Sequence, residues 1–206
     1  ESRKAGGVMA EKPIFFNTEM VQAILDGRKT MTRRVIKADD DPENWKISIA
    51  GTSVARTPLY DVRLSRYEAG DILWVCETWA KISDWSDVCP ETGIFDGYIY
   101  KADWPSSGEH PKWRPPIFMP REAARIFLRV TDVRVERLQE ILCGDMKREG
   151  CIPPTVTEGQ YQQWQRDYWI PLWDSTIKKQ DISRYGWDAN PWVWVISFER
   201  RENHDR

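Results

Sequence analysis

The chain is poor in the side chains that most often carry metals or shuttle protons. Its 206 residues include two histidines, His110 and His204, and four cysteines, Cys76, Cys89, Cys143 and Cys151. No two cysteines stand as C-x-x-C, so the spacing argues against a structural zinc site of grouped ligands. Free thiols packed as small apolar groups are expected instead. Histidine-based catalysis would rest on His110 alone, in a loop rich in Pro and Gly. Long apolar runs are also missing: nothing approaches the roughly 18 residues of a membrane span. Glu1 to Glu11 lacks the apolar core of a signal peptide, and the cytoplasm is the expected compartment. Nor does one sign of charge dominate. Thirty Lys and Arg against 32 Asp and Glu leave a net charge of −2, which excludes a basic coat over the whole surface but not a local basic site.

What is present is aromatic and locally basic. Twelve tryptophans are many for this length, and indoles bury large areas, so packing is the first explanation for most of them. The densest feature is Asp26-Gly27-Arg28-Lys29-Thr30-Met31-Thr32-Arg33-Arg34. Here four cations and two threonines follow a glycine turn with no acid among them. A buried strand has no need of such a cluster, and a solvated surface dilutes one with acids. A second basic stretch runs through Lys112, Arg114, Arg121, Arg125, Arg129, Arg134 and Arg137. It reads either as the polar side of a strand or as a track for phosphates.

Periodicity places these features on elements. Lys12 to Phe16 reads as a strand. Asn17 or Thr18 caps a helix whose apolar side is Met20, Val21, Ala23, Ile24 and Leu25, and Gly27 ends it. Thr30 to Lys37 is expected to be extended, with Thr30, Thr32 and Arg34 on one side and Met31, Arg33 and Val35 on the other. Further strands are expected at Ile72–Cys76, Tyr98–Tyr100, Arg125–Glu136, with a bulge or twist at Thr131-Asp132, and Pro191–Glu199, the last buried on both faces. Leu138 to Gly150 reads as two short helices, and Thr157 to Trp173 as a helix broken by Pro171. With no internal repeat and no dividing linker, the expectation is one domain over residues 12–200. Insertions are expected near 38–69, 81–120 and 151–190, with tails at 1–11 and 201–206.

Gly27, Lys29, Thr32 and Arg34 occupy the four fixed places of G-x-K-x-x-T-x-R. That pattern resembles the signature of ASCH domains, in the PUA-like superfamily. Six segments in order extend the resemblance to a bacteriophage and prophage branch. They are Lys12 to Phe16, Gly70 to Trp79, Met119 to Ile126, Val135 to Leu138, Glu149-Gly150 and Asn190 to Val195. Two departures stand out: Cys76 replaces an arginine before Glu77, and Glu122 replaces a tryptophan after Arg121.

The resemblance implies an α+β fold, a PUA-like small β-barrel of about 5–7 strands with flanking helices and loop insertions. The implied partner is RNA, DNA or a modified nucleoside, with no cofactor, metal or membrane. One ASCH branch hydrolyses the amide of acetylated cytidine through a Lys, a Thr and a Glu. Residue by residue this gives Lys29, Thr32 and Glu149 as the catalytic candidates, with Gly27, Arg28, Arg34, Glu77, Trp79 and Arg125 as candidates for substrate binding.

The chemistry is coherent. Thr32 attacks if a base takes its proton, Lys29 serves if its pKa is lowered, Glu149 relays a proton to the leaving amine, and Arg34 holds an oxyanion or phosphate. Each residue also has a structural alternative: Lys29 a turn lysine, Thr32 a β-favouring residue, Glu149 a helix end before a glycine cap, and Arg34 an ion-pair partner of Glu77. The functions in competition are an amidohydrolase, a non-catalytic reader of RNA or modified bases, a ribonuclease, and an accessory protein that binds another protein.

Overall fold

The computed structural model describes residues 11–37, 45–50, 53–58, 66–84, 97–104, 109–151 and 158–201. Cys89, His204 and much of the segments 38–69 and 81–120 lie outside them, as do the expected tails apart from Glu11 and Arg201. The architecture is α+β. Five strands form a mixed sheet in the order β1-β5-β8-β9-β2: β1 (Glu11–Phe15), β2 (Met31–Val35), β5 (Ile72–Cys76), β8 (Phe127–Arg137) and β9 (Trp192–Arg200). Two antiparallel pairs stand apart, β3 (Trp45–Ala50) with β4 (Ser53–Pro58), and β6 (Trp79–Lys81) with β7 (Tyr98–Tyr100). The strand order has two ends, β1 and β2, so among the described residues the sheet does not close into the expected barrel.

The chain forms two compact units, each gathered from separate segments. The first comprises residues 1–27, 70–129 and 199–206. In it β1 pairs in parallel with β5, Ile14 opposite Val75, and β5 pairs antiparallel with the start of β8, Leu73 opposite Leu128. All four of these side chains are fully buried. Helix α1 (Thr18–Leu25) starts at Asn17, whose side chain accepts from the Met20 N–H at 2.9 Å. The helix ends at Asp26, and Gly27 follows at φ +74°, a left-handed conformation that costs glycine least.

The second unit comprises residues 28–69 and 130–198. In it β2 pairs antiparallel with β9, Thr32 opposite Ile196 and Arg34 opposite Trp194. Val193, Val195, Ile196, Ser197 and Phe198 are all buried, as expected of a strand flanked on both sides. Met31, Leu138, Trp173, Val193 and Val195 make one core cluster; Ile141, Met146, Cys151 and Trp169 make another around helix α2 (Cys143–Arg148).

One sequence expectation changes here. Pro171 does not break the helix. The run continues from α3 (Glu158–Trp164) through a π turn (Gln165–Trp169) into α4 (Ile170–Ser175). Pro171 sits in the first turn of α4, directly after the widened turn, where a missing N–H is tolerated. The bulge or twist expected at Thr131-Asp132 falls inside β8, which runs unbroken for 11 residues. Arg134 bonds both Asp132 and Glu136, which puts the three on one side of the strand. The change in the sequence pattern marks the point where Val130 gives way to charges on that side.

Candidate active site

The basic cluster that stands out in the sequence is built into β2 of the second unit. Lys29 precedes the strand and pairs through its backbone with Glu149, and the Thr30 N–H donates to the Arg148 carbonyl at 2.8 Å. Glu149 caps the C-terminus of α2. Gly150 follows at φ +91°, its N–H donates to the Lys147 carbonyl, and the Cys151 N–H donates to the Met146 carbonyl. This double bond pattern is a Schellman end. The glycine that identifies Glu149 as a helix end therefore also fixes where its carboxylate goes.

That carboxylate meets Lys29. Lys29 Nζ donates to Glu149 Oε2 at 2.8 Å, to the Glu149 carbonyl at 2.9 Å and to the Met31 carbonyl at 2.8 Å. The lysine side chain is fully buried, and the Glu149 side chain is 6% exposed. Burial pulls the Lys29 pKa below the ordinary 10.5; Glu149 works against that shift, and Arg34 adds to it by like-charge repulsion. Lys29 is thus no solvated turn lysine: its charge is held in a site where charge is expensive.

Thr32 is buried too. Its Oγ1 accepts from Arg34 Nη1 at 2.8 Å, and the same Nη1 reaches the Arg33 carbonyl at 3.1 Å. The pairing confirms the expected alternation, with 32 and 34 on one side of the strand. Arg34 is partly buried. Burial lowers its pKa, against the fields of Glu149 and Tyr67. Arg28 is exposed, and its Nη1 donates to the Gly150 carbonyl at 2.9 Å. The buried Cys151 thiol is pushed up to about 11, first by burial and then by Glu149, so it stays protonated near neutrality and is a poor nucleophile.

The residue that sequence reasoning passed over is Arg33. Only 1% of its side chain is exposed, and three carboxylates surround it. Nη1 reaches Glu149 Oε1 at 3.2 Å, while Nη2 reaches Glu136 Oε2 at 3.0 Å and Asp145 Oδ2 at 2.8 Å. Its Nε is buried and has no hydrogen-bond partner among the described residues. The signal that could have found it is the β2 alternation itself, which puts a cation on the same side as the apolar Met31 and Val35. A charge among apolar neighbours calls for acids elsewhere in the chain.

The candidates Glu77, Trp79 and Arg125 belong to the first unit. Glu77 is 1% exposed and takes a bidentate pair from Arg125, Nε to Oε1 at 2.8 Å and Nη2 to Oε2 at 3.0 Å. Glu77 therefore finds its cation in Arg125, not in Arg34 as the structural alternative had it. Arg125 also binds Asp103 and lies 4.0 Å over the Tyr100 ring. Trp79 is 2% exposed, with Arg114 5.2 Å over its ring and Tyr98 at its edge. Its Nε1 is buried and has no hydrogen-bond partner among the described residues. Rings covered in this way pack the core, and a base could stack here only after the cover moved.

Burial raises the Glu77 pKa above the ordinary 4.5, and Arg125 pulls against it. A carboxyl raised in the folded state binds its proton more tightly there than in the unfolded chain. The stability this contributes is full at pH values below 4.5 and is lost as pH climbs through the raised value. The stability difference between wild type and Glu77→Gln, measured by urea unfolding, is therefore expected to fall from about pH 4 to about pH 7. A difference that rises over that interval would contradict the assignment.

Most arginines of the second basic stretch meet an acid or an aromatic ring. Arg121 pairs with Glu11, Arg125 with Glu77 and Asp103, Arg129 with Glu199, and Arg134 with Asp132, Glu136 and Asp145. Arg137 lies 4.2 Å over the Trp192 ring and donates to the Asn190 carbonyl. Among the described residues, no group of three or more His, Cys, Asp or Glu is placed to hold a metal ion, and no helix is long and apolar enough to cross a membrane.

No protein-family model and no curated protein matches the sequence. Two solved structures are similar to the chain. One is an ASCH domain from Lactobacillus crispatus JV V101, at 10% identity and a TM-score of 0.39, covering 93% of this chain and 79% of that one. The other is a protein from Enterococcus faecalis V583, at 11% identity and a TM-score of 0.40, covering 97% of this chain and 86% of that one.

Proposed function

We propose that this chain is an ASCH-type protein that acts on nucleosides, and that its second unit carries an amidohydrolase site for an N4-acylated cytosine. The observation behind the reading is the buried contact of Lys29 Nζ with Glu149 Oε2 at 2.8 Å, just before the strand that carries Thr32 and Arg34. The resemblance of the sequence to ASCH domains supplies the substrate class.

In this reading the Thr32 hydroxyl loses its proton to the amine form of Lys29 as Oγ1 adds to the acyl carbon. Arg34 balances the charge that develops on the carbonyl oxygen. The C–N bond then breaks, the proton passes through the Lys29–Glu149 pair to the leaving amino group, and water hydrolyses the threonine ester. A lowered Lys29 pKa favours this step, because it raises the share of amine near neutral pH.

The internal pairing of the β8 arginines favours a nucleoside or a short segment over a long strand, since a cation already paired releases few counterions when it meets a phosphate. The second reading, a reader that binds a modified base without turnover, draws on Arg34, which keeps partial exposure at the edge of the buried pair. Incubating the purified protein with N4-acetylcytidine and following cytidine release by chromatography separates the two. Release that Lys29→Ala abolishes is the expected result. No release, together with saturable binding of the same nucleoside, would replace the hydrolase by the reader.

A further inference from the structure

The charges that meet at Lys29 do not stop at Glu149. Lys29, Glu149, Arg33, the pair Asp145 and Glu136, Arg134 and then Asp132 alternate in sign within the second unit. Side-chain exposure rises along the row, from 0% at Lys29 and 1% at Arg33 to 34% at Arg134 and 57% at Asp132. Three elements contribute: β2 and the segment leading into it give Arg33 and Lys29, α2 and its cap give Asp145 and Glu149, and β8 gives Glu136, Arg134 and Asp132. Glu149 is shared, with Oε2 on Lys29 and Oε1 on Arg33. Arg33 is in turn held from outside by Asp145 and Glu136 on one nitrogen, Nη2. Arg134 closes the outer end, with Nε 2.5 Å from Glu136 and Nη2 3.7 Å from Asp145.

We propose that Arg33, Asp145 and Glu136 are positioning residues for the Lys29–Glu149 pair: the outer carboxylates draw Arg33 away from Glu149 and so set how much of its negative charge is left for Lys29. The inference rests on the reading of Lys29 and Glu149 as the reacting pair. The other charged or titratable groups that act on Lys29 are Arg34, from β2, and Cys151, just beyond α2.

The direction of the effect distinguishes this role from simple support of the fold. Removing the charge of Asp145 takes a negative field away and lets Arg33 settle more closely on Glu149. Both changes disfavour the Lys29 ammonium, so its titration midpoint falls. A residue that merely held the structure together would do the opposite: loosening would let water reach Lys29, and its midpoint would climb toward the ordinary 10.5.

The test is a lysine side-chain NMR titration of the full chain as wild type, Asp145→Asn, Glu136→Gln and Asp145→Glu. The Lys29 signal is assigned by its loss in Lys29→Arg, and folding is checked by circular dichroism. Midpoints that fall by a few tenths of a pH unit or more in Asp145→Asn and Glu136→Gln, and that Asp145→Glu restores, are the expected result. Midpoints that rise or stay in both variants overturn the proposal. Turnover of N4-acetylcytidine is read in parallel. Falling midpoints in a protein with no turnover would sink the hydrolase reading and leave the row standing. Turnover with unmoved midpoints would sink the row alone.

Discussion

Arg33→Met is expected to lower the stability of the protein by about 3–5 kcal/mol, the range for breaking a buried ion pair by removing one partner. The cost does not come from the lost attraction alone. Asp145 and Glu136 keep Arg134, and Glu149 keeps Lys29, yet all three carboxylates lose the cation at their common centre while remaining largely buried. Unsatisfied buried charge dominates such losses. Urea unfolding followed by the fluorescence of the 12 tryptophans reads the change directly. The double variant Arg33→Met with Asp145→Asn is expected to recover part of the loss, because it removes a carboxylate that Arg33 would have held. A loss below about 1 kcal/mol, the level of an exposed pair, would show that water reaches the cluster.

Lys29→Ala and Glu149→Gln are each expected to cut turnover of an N4-acylated cytosine by about 10²–10⁴-fold, the usual worth of a positioned acid or base. Applied together they should cost little more than either alone, because the two groups pass one proton and act as a unit. The pH profile carries a second signature. The base must be the amine, so turnover rises with pH through the Lys29 pKa. Burial lowers that pKa, which puts the rising limb below the range of an ordinary lysine. Kinetics on folded variants, with folding verified by circular dichroism, checks both points. Additive losses, or a rising limb in the range of a free lysine, would exclude the pair as the reacting unit.

Much of the local geometry around the candidate site was legible in the sequence. The glycines at 27 and 150 announce two helix ends, and each fixes the residues beside it through a local rule of backbone conformation. Alternation along residues 30–36 puts Thr32 and Arg34 on one side, and the structure shows them hydrogen-bonded. The continuation of the helix past Pro171 was not legible, since it depends on a widened turn just before the proline. The partner of Glu77 was not legible either. The sequence pointed to Arg34, and the structure pairs Glu77 with Arg125, 48 residues along the chain.

By itself, the sequence determined the five strands of the main sheet, helix α1, the alternation of side chains on β2 and the caps beside Lys29 and Glu149. All of these follow from interactions spanning a few residues, where spacing along the chain is distance in space. Only the tertiary structure decided which charges meet. Arg33 reads along the chain as a supporting cation beside more important neighbours. It becomes the centre of three carboxylates, 103, 112 and 116 residues away, because chain topology brings β8 and the end of α2 to its strand. An ion pair in a buried site is set by position in three dimensions and by the lack of water around it, and neither is written in local spacing.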